Sequence, residues 1–214
     1  MSGGARGETQ PPAVVVEARG AVAVIRLARP AQRNPLSAST LSAIEEAFST
    51  LAARRDVRAV VFTGAGDVFA SGADIRELLT LAPDAALAFA ERGQRLFRQI
   101  SEAGPPAVAA VNGYCMGGGL DLALACRVRV ASPAAVFAHP GARLGVITGW
   151  GGTQRLPRLV GAARALEMFT TARRLGAVEA LEFGLVDELA EDALGRALEV
   201  ARRLGGVAGG ARPT

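Results

Sequence analysis

Gly113–Cys126 reads GYCMGGGLDLALAC: three consecutive glycines, Gly117 to Gly119, followed two residues later by Asp121 in an otherwise apolar run. Small residues let a backbone approach another group closely, because no Cβ stands in the way. The segment before the triplet, AVAAVNG (107–113), reads as a buried strand, and the residues after it as the start of a helix. Such a unit presents unpaired N–H groups and the positive end of a helix dipole at the carboxyl end of its strand. A second unit of the same kind lies upstream, where AVVFTG (59–64) runs into AGDVFASGADIREL (65–78). If the two loops are neighbours in space, one N–H from each would stabilise an oxyanion. Neither carries the GK[ST] ending of a P-loop or fits GxGxxG, so a phosphate cradle is not indicated. Taken singly, each loop is more often an ordinary strand-to-helix turn, and it is the pair of them that brings the functional reading level with that one.

Outward from these loops the chain alternates strands and helices. AVVVEARGAVAVIRLAR (13–29) predicts a hairpin turning at Arg19-Gly20, and STLSAIEEAFSTLAARR (39–55) places Leu41, Ile44, Phe48 and Leu51 at helical spacing. ADIRELLTL (73–81) and DAALAFAERGQRLFRQISEA (84–103) read as amphipathic helices, RVRVAS (127–132) and the residues around Phe137 as strands. Residues 151–175 and 177–184 read as helical, with GLVDEL (184–189) a short strand between helices. No repeat and no composition break marks a linker. The alternation argues an α/β fold with function at the carboxyl ends of strands. The expected organisation is a leader over 1–12, one domain over 13–204 and a Gly-rich tail over 205–214.

Composition narrows the function classes. Half of the 214 residues are hydrophobic but only 5% are aromatic, so the core is built mainly from Ala, Val and Leu. All 24 basic residues are arginine, scattered among 20 acidic ones for a net charge of +4. Without a basic run and interleaved aromatics, a nucleic-acid partner is not expected. Cys115 and Cys126 lack metal-ligand spacing and there is a single histidine, so no metal site is expected. Neither a signal segment nor a bilayer-spanning apolar run is read, which makes a cytoplasmic protein with no membrane association the expectation.

FASGADIREL (69–78) and AAVNGYCMGGGLDLALACRVRVAS (109–132) resemble the two signature regions of the crotonase superfamily, the enoyl-CoA hydratases and isomerases. RPAQRNPLS (29–37), LGVITGWGGTQRLPRLVG (144–161) and ARRLGAVEALEFGLVDEL (172–189) are further matches in the right order, so the resemblance covers about Val14 to Arg202. It implies the ClpP/crotonase spiral of ββα units and an acyl-CoA substrate, with coenzyme A part of the substrate and no separate cofactor. It places the two carbonyl-polarising amides at Ala73 and Gly118 and a proton-transfer carboxylate at Asp121. Ser71, Gly72 and Gly117 would complete the loops around the thioester. Arg29, Arg33 and Arg76 sit where the family contacts the nucleotide of CoA. Asp74 reads more simply as the dipole partner of its helix, and Trp150 either walls the acyl pocket or packs under a glycine loop. A homotrimer or hexamer is implied.

Two departures shape the expectation. The hydratases use a second glutamate just after the proline of the segment aligned with FAHPGARLG (137–145), and here that residue is Gly141. One carboxylate suffices for a proton shuttle, as in double-bond isomerisation, if it reaches both carbons. A hydratase would have to recruit another group, and His139 is the nearest in sequence. The C-terminal helical region also reads as shortened. Beside the enzyme stand two other readings: an acyl-CoA-binding pseudoenzyme, and an RNA-binding homologue.

Overall fold

The computed structural model describes residues 11–102 and 104–207. Most of the expected leader and the tail from 208 onward lie outside the described residues. The chain opens on the hairpin β1 (Val14–Arg19) and β2 (Val22–Leu27), paired antiparallel from Val14 opposite Leu27 to Arg19 opposite Val22. The short β3 (Pro35–Leu36) leads to α1 (Ala38–Ala52), whose cap Ser37 accepts the Thr40 N–H at 3.1 Å. The four residues expected on its inner face, Leu41, Ile44, Phe48 and Leu51, are all buried.

Then a unit of two strands and a helix recurs. Its first copy is β4 (Ala59–Gly64) and β5 (Val68–Ala70), followed by the two-residue β6 (Gly72–Ala73) and helices α2 (Ile75–Leu78) and α3 (Pro83–Glu102). The second is β7 (Ala107–Val111), β8 (Tyr114–Met116) and α4 (Gly118–Ala125). The third is β9 (Val128–Ala131), β10 (Val136–Ala138) and α5 (Gly152–Val160). The chain closes with α6 (Ala162–Thr171), β11 (Leu175–Gly176), α7 (Ala177–Glu182), β12 (Glu188–Leu189) and α8 (Ala193–Val207).

Each unit sends its first strand to one sheet and its second to another. The large sheet runs β1-β2-β4-β7-β9-β12 and the smaller one β11-β10-β8-β5, while β3 and β6 form a separate pair. This is the expected spiral of ββα units. Strand periodicity explains why the central strands read as continuous apolar runs. Ala23, Ile25, Val60, Phe62, Ala107 and Ala109 face the main core. The alternate residues Val22, Val24, Ala59, Val61, Val108 and Ala110 face α8, where Ala193, Ala197 and Ala201 complete a second core.

Some boundaries differ from the sequence reading. The helix expected over 73–81 is reduced to Ile75–Leu78, capped by Asp74. Pro83 opens the next helix, and the residue before a proline is disfavoured in helical conformation, so the two cannot merge. The long helical stretch over 151–175 breaks at Gly161, whose φ of 86° lies in the left-handed region, and ends in β11. The last helix runs through Val207, three residues past the boundary expected for the tail.

The strand ends are tied together by backbone contact. Tyr114 N–H donates to the Asp67 carbonyl at 3.1 Å, and a Cβ at Gly113 would stand 1.8 Å from that same oxygen. Asn112 spans the same junction, accepting Gly64 N–H at 3.1 Å and donating to the Gly66 carbonyl at 2.8 Å. Gly113→Ala must therefore push two loops apart, and overpacking against rigid backbone leads us to expect a loss of about 2 kcal/mol. Urea denaturation reads this as a lower midpoint at unchanged slope.

Candidate active site

Three loops converge at the carboxyl ends of β5, β8 and β10. The first is held by the RPAQRNPLS segment. Asn34, with φ of 49°, accepts Arg29 N–H at 2.9 Å and donates to the carbonyls of Ala65 at 3.1 Å and Val68 at 2.7 Å. Ser71 N–H donates to the Arg33 carbonyl, and the pairing of Leu36 with Ala73 fixes the backbone there. The second loop is fixed by Gly117 N–H donating to the Ala138 carbonyl at 2.9 Å. Both loops turn through glycine with positive φ, 96° at Gly72 and 51° at Gly117.

At their meeting a Cβ on Gly72 would stand 2.9 Å from the Met116 carbonyl oxygen and 3.2 Å from the Gly118 nitrogen. One on Gly118 would stand 3.5 Å from the Ala73 nitrogen and 2.3 Å from the Trp150 ring. The two loops read as similar in the sequence are thus in contact. Gly118 opens α4, so its N–H has no acceptor within the helix.

They border a cavity of about 260 Å³ whose exposed lining is mainly apolar. Of the residues expected at the site, Ser71, Gly72, Ala73, Gly117 and Gly118 line it from these loops. His139, Gly141 and Trp150 line it from the third. Trp150 fills both roles left open by the sequence. It walls the cavity, packs edge-on against Phe89 and Phe97 at centroid distances of 5.3 and 5.6 Å, and lies against Gly118. Gly141 sits in a tight turn that Val146 N–H closes on its carbonyl, and a Cβ there would meet the Val146 oxygen at 2.4 Å. Among the described residues that line the cavity, none is a carboxylate.

Asp121 is one turn into α4, fully buried, and behind the cavity wall rather than on it. Its Oδ2 accepts the Thr148 hydroxyl and the Trp150 N–H, the latter at 3.2 Å. Among the described residues its Oδ1 has no hydrogen-bond partner, and it lies 3.7 Å from Nε2 of the also buried His139. Gly152 makes room for this group, since a Cβ there would come within 2.1 Å of Oδ1. Burial raises the Asp121 carboxyl from 3.8 to about 6, against the opposing pull of the Thr148 hydroxyl, the Trp150 amide, the Arg155 charge and the Gly152 amide. Burial lowers His139 from 6.5 to about 4. The 3.7 Å separation alone would suit an ion pair, but both shifts disfavour charge, so the imidazole is neutral wherever the carboxylate is ionised.

The arginines expected to meet a nucleotide are placed apart from this cavity. Arg29 and Arg76 border one polar cleft together with Asp74, while Arg33 does not reach it. Arg76 is mostly exposed and pairs with Asp74 at 2.9 Å, and Asp74 caps α2 by accepting the Arg76 N–H at 3.0 Å. That is the helix-end role read from the sequence. Thr148 and Arg155 were missed. A single Thr in a glycine-rich loop has no periodicity, and its partner is 27 residues distant.

Comparison with known proteins gives the geometry a lineage. Residues 17–206 match the family model for enoyl-CoA hydratase/isomerase. The short-chain-enoyl-CoA hydratase of Clostridium acetobutylicum is 38% identical over 194 residues, covering 89% of this chain and 74% of that one. The crotonyl-CoA hydratase of Syntrophomonas wolfei is likewise 38% identical, covering 89% and 75%. Among solved structures, an enoyl-CoA hydratase from Thermoplasma volcanium superposes with a TM-score of 0.87 at 33% identity, covering 92% of this chain and 78% of its own. One from Bacillus anthracis gives 0.85 at 34% identity, covering 90% and 76%. The resemblance carried by FASGADIREL and the glycine triplet is therefore one of descent and fold alike, and the chain belongs to the enoyl-CoA hydratase/isomerase family.

Proposed function

We propose that this protein acts on an acyl-CoA thioester, holding its carbonyl oxygen between the N–H groups of Ala73 and Gly118 while Asp121 moves a proton. The observation that carries the reading is the contact of two glycine loops beside an apolar cavity, with a buried carboxylate one helical turn beyond. Charge that develops on the thioester oxygen would meet donors already oriented in a water-poor site. Losing one such donor costs about 3 kcal/mol of transition-state stabilisation in other enzymes.

The curated relatives are named as hydratases, and hydration needs both an activated water and a proton donor. Here the position of a second acid is Gly141, in a turn too tight for a side chain, and no carboxylate among the described residues lines the cavity. Asp121 alone can still shuttle one proton between two carbons of the same chain. A shift of the double bond in a 3-enoyl-CoA is thus the reaction these residues support best. Of the rival readings, acyl-CoA binding without turnover is favoured by one feature, the lack of direct access from the cavity to Asp121.

The test supplies crotonyl-CoA and a 3-enoyl-CoA separately, following thioester absorbance and product identity. Conversion of the 3-enoyl ester at least about tenfold faster than hydration of crotonyl-CoA is expected from a one-carboxylate site. Hydration as the faster reaction would overturn the preference for isomerisation. Binding of both esters without turnover of either would establish the binding-only reading.

A further inference from the structure

The proposed reaction needs a proton to pass between the substrate and Asp121, yet Asp121 has no exposed surface and does not line the cavity. Two polar side chains do line the cavity and also face its carboxyl group: Thr148 and His139. They face different oxygens and only one is connected. His139 Nε2 stands 3.7 Å from Oδ1, beyond hydrogen-bonding reach, and neither ring nitrogen has a partner among the described residues. The Thr148 hydroxyl donates directly to Oδ2, whose position is also held by the Trp150 N–H. Glycine at 152 admits this arrangement, since a Cβ there would meet both Asp121 Oδ1 and the Thr148 methyl, at 2.1 and 2.7 Å.

A hydroxyl donates one proton and accepts another at the same oxygen, so it can stand between an acid and a carbon without gaining net charge. We propose that Thr148 is a catalytic residue whose hydroxyl carries the proton between the substrate carbon and Asp121. This rests on the reading of Asp121 as the base. In the first half, the C–H bond at the substrate α-carbon breaks and its proton goes to Thr148 Oγ1. The Thr148 proton moves to Asp121 Oδ2, and the electron pair of the broken bond passes into the thioester as an enolate. In the second half, Asp121 returns its proton through Thr148 as a new C–H bond forms at the γ-carbon. The enolate electrons then become the new α,β double bond. Thr148 ends each half with one proton, Asp121 ends as a carboxylate, and only the double bond has moved.

The variants Thr148→Val and Thr148→Ser separate this role from packing. With a 3-enoyl-CoA, Thr148→Val is expected to lower the single-turnover rate by about 10²-fold at a KM within about twofold, and Thr148→Ser to restore it to within about threefold. In the parent, proton abstraction, identified by its slowing with an α-deuterated ester, is also slowed by heavy water, because the exchangeable Thr148 proton is in flight. Full rate in Thr148→Val, or abstraction indifferent to heavy water, would overturn the relay. Should the valine variant fail to fold, the serine variant and the isotope measurement still decide. A relay that fails while Asp121→Asn remains inactive leaves Asp121 in place as a direct base. Full activity in both variants removes the base assignment itself.

Discussion

Asp121→Asn is expected to lower kcat for the double-bond shift by about 10³-fold, with KM moving less than about threefold. The amide is nearly isosteric and its oxygen can still accept the Trp150 N–H and the Thr148 hydroxyl, so the loop that carries both should stay in place. The thioester would still meet Ala73 and Gly118, which keeps ground-state binding. What is lost is a group able to take up a proton. Parallel loss of kcat and kcat/KM marks an interaction used only in the transition state. A variant that keeps kcat within about threefold would remove Asp121 from the chemistry.

The parent should also show an acid limb. Asp121 must start as a carboxylate to act as a base, so kcat rises with pH through about 6, where burial has brought it. The charged and titratable groups that bear on it from neighbouring elements are His139, Arg155 and the buried Cys115 thiol. His139 is neutral above about 4, and burial raises Cys115 well above its usual value. Neither changes charge near pH 6, which leaves the limb to Asp121. In Asp121→Asn the residual rate should be flat across the same range.

What was legible in the sequence follows from how local each signal is. The face of α1 is set by residues within one element and periodicity reveals it, while the hairpin is marked by its Arg19-Gly20 turn. The likeness of the two glycine loops was legible because each unit repeats the same small-residue pattern at a strand end, but their contact entered only as a condition that the structure meets. The division of strands between two sheets was not read, because β5, β8 and β10 are three residues each, too short to display a period. The depth of Asp121 was also hidden. All eight residues of α4 are buried, so this helix has no polar face that would tell which way its carboxylate points. Thr148 became visible only once the loop after β10 was seen to fold back over α4.

The Asp121–His139 pair is expected to add little net pH dependence to stability in the parent, and the curves of Asp121→Asn and His139→Phe to tilt in opposite directions relative to it. The Asp121 carboxyl is raised from 3.8 to about 6, so the folded state holds that proton more tightly than the unfolded chain. Folding therefore gains from it as pH falls through 6 towards 3.8, and the same gain, about 3 kcal/mol, is lost as pH rises again. His139 is lowered from 6.5 to about 4, so its neutral form favours folding fully above 6.5. That contribution, also about 3 kcal/mol, is lost as pH falls towards 4. The two windows overlap and their signs oppose, so they nearly cancel while both residues are present. Asp121→Asn leaves only the histidine, and the variant should surpass the parent at pH 7 and lose that lead by pH 4. His139→Phe preserves a ring against Phe169, whose centroid is 4.9 Å away, and leaves only the carboxyl, so its lead should grow as pH falls. Urea midpoints at pH 7, 6, 5 and 4 measure all three curves, and two variants parallel to the parent would show that the pair does not titrate as described. Under this cancellation the pair leaves the fold with little net dependence on pH. The proton that Asp121 takes up as pH falls offsets the cost of charging the buried His139, so the histidine, not the carboxyl, is the member of the pair that acid turns against the fold.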